Sequence, residues 1–162
     1  MIEIGMGTTL APSTQEDIDW IEANYREGER MEQAVFGSPR TLLKDFESCW
    51  TVRHGEDLIG YFGVVIPRGM GVFAPCRWLC YMSATTADRY KLTYVKQSRE
   101  VLRRVVAEVP DYVTEFRSLP AERYAMSVKW HERVLKMRRL GTALLNGERF
   151  AVFGIGRKEI EG

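Results

Sequence analysis

The sequence predicts a single α/β domain in which a mixed, mostly antiparallel sheet is flanked by helices. Three observations predict it. Residues 88 to 109 repeat apolar side chains at three- and four-residue spacing, the period of a helix with one buried face. Two strand–turn–strand patterns, around His54-Gly55-Glu56-Asp57 and Asn146-Gly147, read as hairpins. Between them the order runs strand, helix, strand, which places a crossover in the middle of the sheet.

The elements follow in order. Residues 2 to 8 alternate like a short strand. Ser13-Thr14-Gln15-Glu16 has capping-box spacing, with Ser13 as cap and Glu16 three residues on. Ile18, Ile21 and Tyr25 then form an apolar stripe, and Gly28 breaks the pattern. Ser38-Pro39 predicts a second helix start, with Leu42, Leu43 and Phe46 as its buried face. Cys49 to Arg53 and Leu58 to Pro67 form the first hairpin. Arg68-Gly69-Met70-Gly71 is a connection without a following helix, so it is no dinucleotide fingerprint. Arg77 to Thr86 is a third strand. Leu92, Val95, Leu102, Val105, Val106 and Val109 mark the clearest helix, which Pro110 ends. Tyr112 to Arg117 is a strand. Ala121 to Arg139 is a second strong helix, with four basic residues in its last turns and Gly141 as its stop. Thr142 to Leu145 and Arg149 to Gly156 close a final hairpin, and residues 158 to 162 fray.

The 162 residues and 18.7 kDa suit one domain spanning 1–162. A hydrophobic share of 45% and a charged share of 28% are those of a globular protein. The longest apolar stretch, Leu58 to Ile66, is too short to span a membrane. The N-terminus lacks the pattern of a signal peptide. Cys49, Cys76 and Cys80 are an odd set without metal-ligand spacing, which points to a reduced, cytoplasmic protein and to no metal site. Charge is segregated: residues 1 to 60 carry 5 Lys/Arg against 12 Asp/Glu, and residues 89 to 139 carry 13 against 6. The basic half either faces an anion, or pairs with the acidic half inside the fold, or belongs to solvated helix faces. No nucleic-acid motif accompanies it, so nucleic acid is not an expected partner.

The element order, and above all the helix from Ser127 to Leu140, the stop at Gly141 and the hairpin after it, resembles the GCN5-related N-acetyltransferase (GNAT) fold over nearly the whole chain. The C-terminal pattern looks most like small GNAT-like proteins of short-tailed bacteriophages, some of them internal virion proteins. The resemblance implies an acetyl-CoA site. Its strand part falls on Met82, Ser83 and Ala84, and its pyrophosphate loop on Arg89-Tyr90-Lys91-Leu92-Thr93-Tyr94. In the family two glycines in that loop let backbone amides approach the phosphates. Here Leu92 and Tyr94 stand at those positions, leaving Arg89, Lys91 and Thr93 as side-chain candidates. The family's general acid is a tyrosine four residues before the terminal glycine; counted back from Gly141, that position is Met137, which donates no proton. Tyr124, earlier on the helix, is the substitute candidate, and Glu115 is the candidate general base. His131, on the same helix beside Trp130 and Glu132, is not an expected catalytic residue.

Two readings follow from these departures. One is a GNAT-like phage protein with a degenerate acetyl-CoA site, binding a host or phage protein or serving virion assembly in the host cytoplasm. The other is an acetyl-CoA-dependent N-acetyltransferase acting on an amine. Neither implies a membrane or a metal, and both leave the oligomeric state open.

Overall fold

The computed structural model describes residues 1–37, 40–66 and 74–162. The chain opens with a hairpin of β1 (Ile2–Gly5) and β2 (Thr8–Pro12), in place of the one strand expected over residues 2 to 8. Gly5, Met6 and Gly7 all have positive φ, at 97°, 55° and 77°, and two of the three lack the Cβ that disfavours it. Helix α1 (Gln15–Ala23) is capped one residue later than expected. The Thr14 hydroxyl accepts from the Asp17 amide at 3.1 Å, and the Asp17 carboxylate accepts from the Thr14 amide at 3.3 Å. Ser13 is instead tied to the Thr51 hydroxyl at 2.8 Å.

Gly28 does not end a helix. It lies in the first turn of α2 (Glu27–Phe36). Ser38 and Pro39, the expected helix start, lie outside the described residues. Beyond them Leu43–Asp45 forms one 3-10 turn, and Phe46 opens a strand rather than packing a helix. β3 (Phe46–His54) and β4 (Asp57–Val65) form the expected hairpin. Arg68-Gly69-Met70-Gly71 lies outside the described residues. β5 (Cys76–Ser83) leads through a 3-10 segment, Thr85–Tyr90, into α3 (Lys91–Ala107), and β6 (Glu115–Ser118) follows.

The helix expected over residues 121 to 139 is the largest departure. Ala121 makes an isolated bridge to Phe150, so the chain there is still extended. Helix α4 (Ala125–Lys129) is five residues long and widens into a π turn, Trp130–Val134. Lys136 then adopts φ 60° and turns the chain out of the helix. Arg138 already belongs to β7 (Arg138–Leu145), and Gly141 sits within that strand opposite Val152 of β8 (Glu148–Gly156). Counting back from Gly141 therefore finds no helical acid position, and Met137 is a core residue. The basic residues are not dipole caps: Arg138 pairs with Glu159, and Arg139 with Glu122. Asn146-Gly147 makes the predicted turn, both at positive φ.

The eight strands form one sheet in the order β1-β2-β3-β4-β5-β6-β8-β7. Every pairing is antiparallel except β5 with β6. On one face α3 buries Val101, Leu102, Val105 and Val106 against Leu10, Val52, Phe62, Val64 and Phe116. On the other, Ile18, Ile21 and Tyr25 pack on Cys49, Tyr61 and Met82. Each fully buried aliphatic or aromatic side chain contributes about 1.5–3 kcal/mol. No helix among the described residues is long and apolar enough to cross a membrane.

The C-terminal residues do not fray. Helix α5 (Arg157–Glu161) buries Ile160 in the main core. The Arg157 guanidinium is buried and donates to the carbonyls of Val113 at 2.7 Å, and of Val109 and Pro110 at 3.0 Å each. It thus ties the chain end to the exit of α3, where a cation also meets the negative helix end. Arg157→Met is expected to cost about 3 kcal/mol, since it leaves buried carbonyls without a donor. Urea unfolding measures this, and the exposed neighbour Lys158→Met is the control expected to change little.

Candidate functional site

The site begins with an incomplete pairing. β5 and β6 run side by side only through Cys76, Arg77 and Trp78, opposite Glu115, Phe116 and Arg117. Beyond Trp78, β5 stays paired with β4 as far as Ser83, while β6 ends at Ser118. Leu79 to Ser83 therefore have no β6 partner. His131, from the π turn, stands between the parted strands with 0% exposure. Its Nδ1 lies 2.7 Å from the Ser127 carbonyl, which can only accept, so Nδ1 carries the proton. Nε2 is then the acceptor, 2.8 Å from the Ser118 hydroxyl of β6; the Tyr81 hydroxyl of β5 lies against the ring, 3.1 and 3.0 Å from its two nitrogens, and 3.0 Å from the Ser127 hydroxyl. Burial holds the imidazole neutral and pushes its pKa down to about 4. His131 is fully buried, which its place beside Trp130 and Glu132 in the sequence did not show, and it bridges the gap between the strands.

Two cavities flank the gap. One, of about 310 Å³, lies between α3 and the α4–π segment. Its wall is apolar and aromatic, with Ala87, Tyr94, Val95, Trp130 and Val134. Lys91, Lys129 and Arg133 also line it and are exposed. The other, of about 490 Å³, lies between α2 and the far side of β5, lined by Glu29, Glu32, Asp45, Phe36, Trp78 and Met82 among others. Glu29, Tyr81 and Ser127 belong to the walls of both. One side is thus rimmed mainly by cations and the other mainly by carboxylates, where the one arginine, Arg40, is paired with Asp19 at 2.6 Å, and the two share a wall at the gap.

The acidic side carries shifted groups. Glu29 is only 5% exposed. Burial raises its carboxyl pKa, opposed by Arg26, by its own amide, by Tyr124 and by the Ser83 backbone. Burial, with Glu29 adding repulsion, pushes Glu32 up to about 8. Sequence reasoning missed both, because reading Gly28 as a helix end hid the Glu29–Glu32 spacing of one helical turn.

The expected site residues are brought together only in part. Tyr124 is at the start of α4 and lines the cation-rimmed cavity, its hydroxyl 3.1 Å from Glu29 Oε2. Lys91 and Ser83 line the same cavity. Met82 lines the acidic one. The Ala84 amide donates to the Ile59 carbonyl at 2.8 Å, and the Ser83 carbonyl accepts from the Arg26 amide at 3.2 Å, so this stretch of β5 is engaged within the fold. Arg89 and Thr93 line neither cavity, and Arg89 is exposed. Glu115 lies outside both as well. Alternation along β6 buries Phe116 and Ser118 and turns Glu115 outward, where it pairs with Arg117 at 3.3 Å. Leu92, at a glycine position of the family loop, is 77% exposed, and Tyr94, at the other, lines the cavity wall.

A mixed eight-stranded sheet that parts beside its one parallel pairing, with a helix entering from the parted strand, is the GNAT acetyltransferase fold. Solved structures agree. The chain matches the aminoglycoside acetyltransferase AAC(6')-Ib, in complex with ribostamycin and coenzyme A, with a TM-score of 0.67 and 16% identity, covering 96% of each chain. It matches an N-acetyltransferase from Staphylococcus aureus Mu50 with a TM-score of 0.66 and 14% identity, over 93% of this chain and 98% of that one. A putative acetyltransferase, yncA, from Salmonella typhimurium, solved with acetyl-CoA, gives a TM-score of 0.63 and 13% identity, over 93% and 94%. No family profile and no curated protein matches the sequence. Nothing in these comparisons links the chain to phage virion proteins.

The shifted groups set opposite pH dependences. Glu32 binds its proton more tightly folded than unfolded, so it lowers stability as pH rises from about 4.5 toward 8. His131 is held neutral, so its contribution is present above about 6.5 and is lost as pH falls toward 4. Glu32→Gln is therefore expected to stabilise the protein at pH 8 and to have little effect at pH 5. Urea unfolding at the two pH values reads the difference.

Proposed function

We propose that the protein transfers an acetyl group from acetyl-CoA to the amine of a cationic acceptor. The observation that carries this reading is the shared wall at Glu29 and Tyr81 between a cation-rimmed apolar cavity and a carboxylate-lined one. An extended phosphopantetheine arm needs a narrow apolar slot that leads from a basic surface to the parted strands. The first cavity supplies the slot, and its volume of about 310 Å³ is at the small end of ligand sites. The residues present fit the arm through Tyr94, Val95, Trp130 and Val134, and the phosphates through Lys91, Lys129 and Arg133. The glycine-based cradle of the family is replaced by Leu92 and Tyr94, so phosphate binding rests on side-chain charge. A coenzyme A thioester supplies an activated acyl carbon when bound.

The second cavity suits a positively charged amine. Asp45 and the ionised form of Glu29 draw an ammonium group in, and the raised proton affinity of Glu32 suits it to take the ammonium proton. Aminoglycosides such as kanamycin, seen bound with coenzyme A in a structural neighbour, are amines of this kind.

Calorimetric titration with acetyl-CoA tests the reading. Micromolar binding is expected, weakened roughly tenfold or more by Lys129→Glu with Arg133→Glu, which is about 1.4 kcal/mol. The affinity should fall steeply with salt, because exposed cations hold the phosphates. The absence of heat at millimolar acetyl-CoA would overturn the proposal and leave the fold as a scaffold for protein binding.

A further inference from the structure

Glu29 and Tyr124 come from different elements and are pressed together by a residue with no side chain. A Cβ on Gly28 would stand 2.2 Å from two ring carbons of Tyr124. The ring therefore lies flush against the first turn of α2, which carries Glu29 next to Gly28. From there the Tyr124 hydroxyl donates to Glu29 Oε2 at 3.1 Å. The two residues differ in what they face: Tyr124 lines the cation-rimmed cavity and not the carboxylate-lined one, whereas Glu29 lines both.

We propose that Glu29 and Tyr124 work as one proton-exchange pair, with Gly28 as the residue that positions it. This rests on the acetyl-transfer reading above. As the amine nitrogen bonds to the acyl carbon and the carbon–sulfur bond breaks, the nitrogen gives a proton to the Glu29 carboxylate. Tyr124 gives its hydroxyl proton to the departing sulfur. The neutral Glu29 carboxyl then returns a proton to the Tyr124 phenolate across their hydrogen bond. The sum is neutral amine plus thioester giving amide plus thiol; the extra proton of the ammonium form leaves beforehand through Glu32 to water, so Glu29 enters the step as a carboxylate and both members of the pair end as they began.

The surroundings support this. Arg26 before α2, Glu32 one turn along it, Tyr81 of β5, Tyr94 of α3 and Tyr124 of α4 are the titratable groups that face Glu29. Burial raises the proton affinity of both Glu29 and the Tyr124 hydroxyl, so a phenolate formed there draws the proton from its neutral neighbour.

The pair is tested first without turnover, by carbon-13 NMR titration of the Glu29 carboxyl. Tyr124→Phe removes a hydrogen bond to the carboxylate and should raise its pKa. Gly28→Ala removes no polar group, yet should raise it as well by displacing the ring. Gly28→Ala with Tyr124→Ala, which removes the ring that the new methyl meets, serves if the single variant does not fold, and should then fold. An unchanged Glu29 titration in Tyr124→Phe would overturn the pairing.

Transfer to kanamycin tests its use. With acetyl-CoA as donor, Tyr124→Phe should slow turnover by ~100-fold while leaving acetyl-CoA affinity within about threefold. With S-(4-nitrophenyl) thioacetate, whose thiolate leaves without a proton, the same variant should lose no more than about threefold. Glu29→Gln should slow both. Equal losses of Tyr124→Phe with the two donors, or no transfer by a wild type that binds acetyl-CoA, would overturn the catalytic use of the pair alone. A wild type that does not bind acetyl-CoA would overturn the acetyl-transfer reading with it.

Discussion

The site depends on the early end of the pairing between β5 and β6. Three parallel residue pairs hold the two strands, and beyond Trp78 they part. An open strand edge inside a protein leaves amides and carbonyls in need of partners, and hydroxyls of both strands buried in the gap need them too. The His131 imidazole accepts from Ser118 at Nε2 while its other nitrogen is held by the Ser127 carbonyl, and Tyr81 packs its hydroxyl against the ring and the Ser127 hydroxyl. The π turn that carries it is a widening of the helix of the kind found at functional sites. It lets Trp130 lie over Tyr81, with ring centroids 4.3 Å apart, while His131 points into the gap. The two cavities exist because this wedge keeps the strands from closing.

Charge along the chain maps onto that architecture. The acidic first third brings Glu29 and Glu32 to one side of the gap. The basic stretch after residue 89 brings Lys91, Lys129 and Arg133 to the other. Other charges pair locally, such as Arg104 with Glu100 at 2.9 Å and Arg26 with Asp88 at 3.3 Å. Among the described ion pairs the basic stretch pairs with carboxylates within or after itself, such as Glu100, Glu122 and Glu159, rather than with the acidic first third, and the rest of its charge is solvated or faces the first cavity. Burying carboxylates against an apolar wall costs stability, and sites that move protons tolerate such costs.

Much of the fold was legible from local signals. The α3 stripe, the β3–β4 hairpin and the Asn146-Gly147 turn depend on spacing within a few residues, and they form where expected. The misreadings share a cause. Gly28 reads as a break because glycine is a poor helix former, yet here the space it leaves is filled by Tyr124 from 96 positions away. Gly141 reads as a helix stop, but a positive φ at Lys136 ends the helix earlier, and Gly141 serves in a strand. Residues 158 to 162 look like a loose tail because nothing nearby shows that Arg157 finds three carbonyls at the exit of α3. Glu115 looks suited to catalysis by element, but strand alternation turns it outward. In each case a contact distant in sequence decides the outcome.

The central claim is that the β5 edge beyond Trp78 receives the acyl donor. Residue-resolved hydrogen exchange of β5, with and without coenzyme A, tests it most directly. Slower exchange at Tyr81 and Ser83, the β5 residues that line the cation-rimmed cavity, on adding coenzyme A, with the β2–β3 pairing unchanged, is the predicted result. Coenzyme A that binds while leaving the exchange of Tyr81 and Ser83 unaltered would contradict the account.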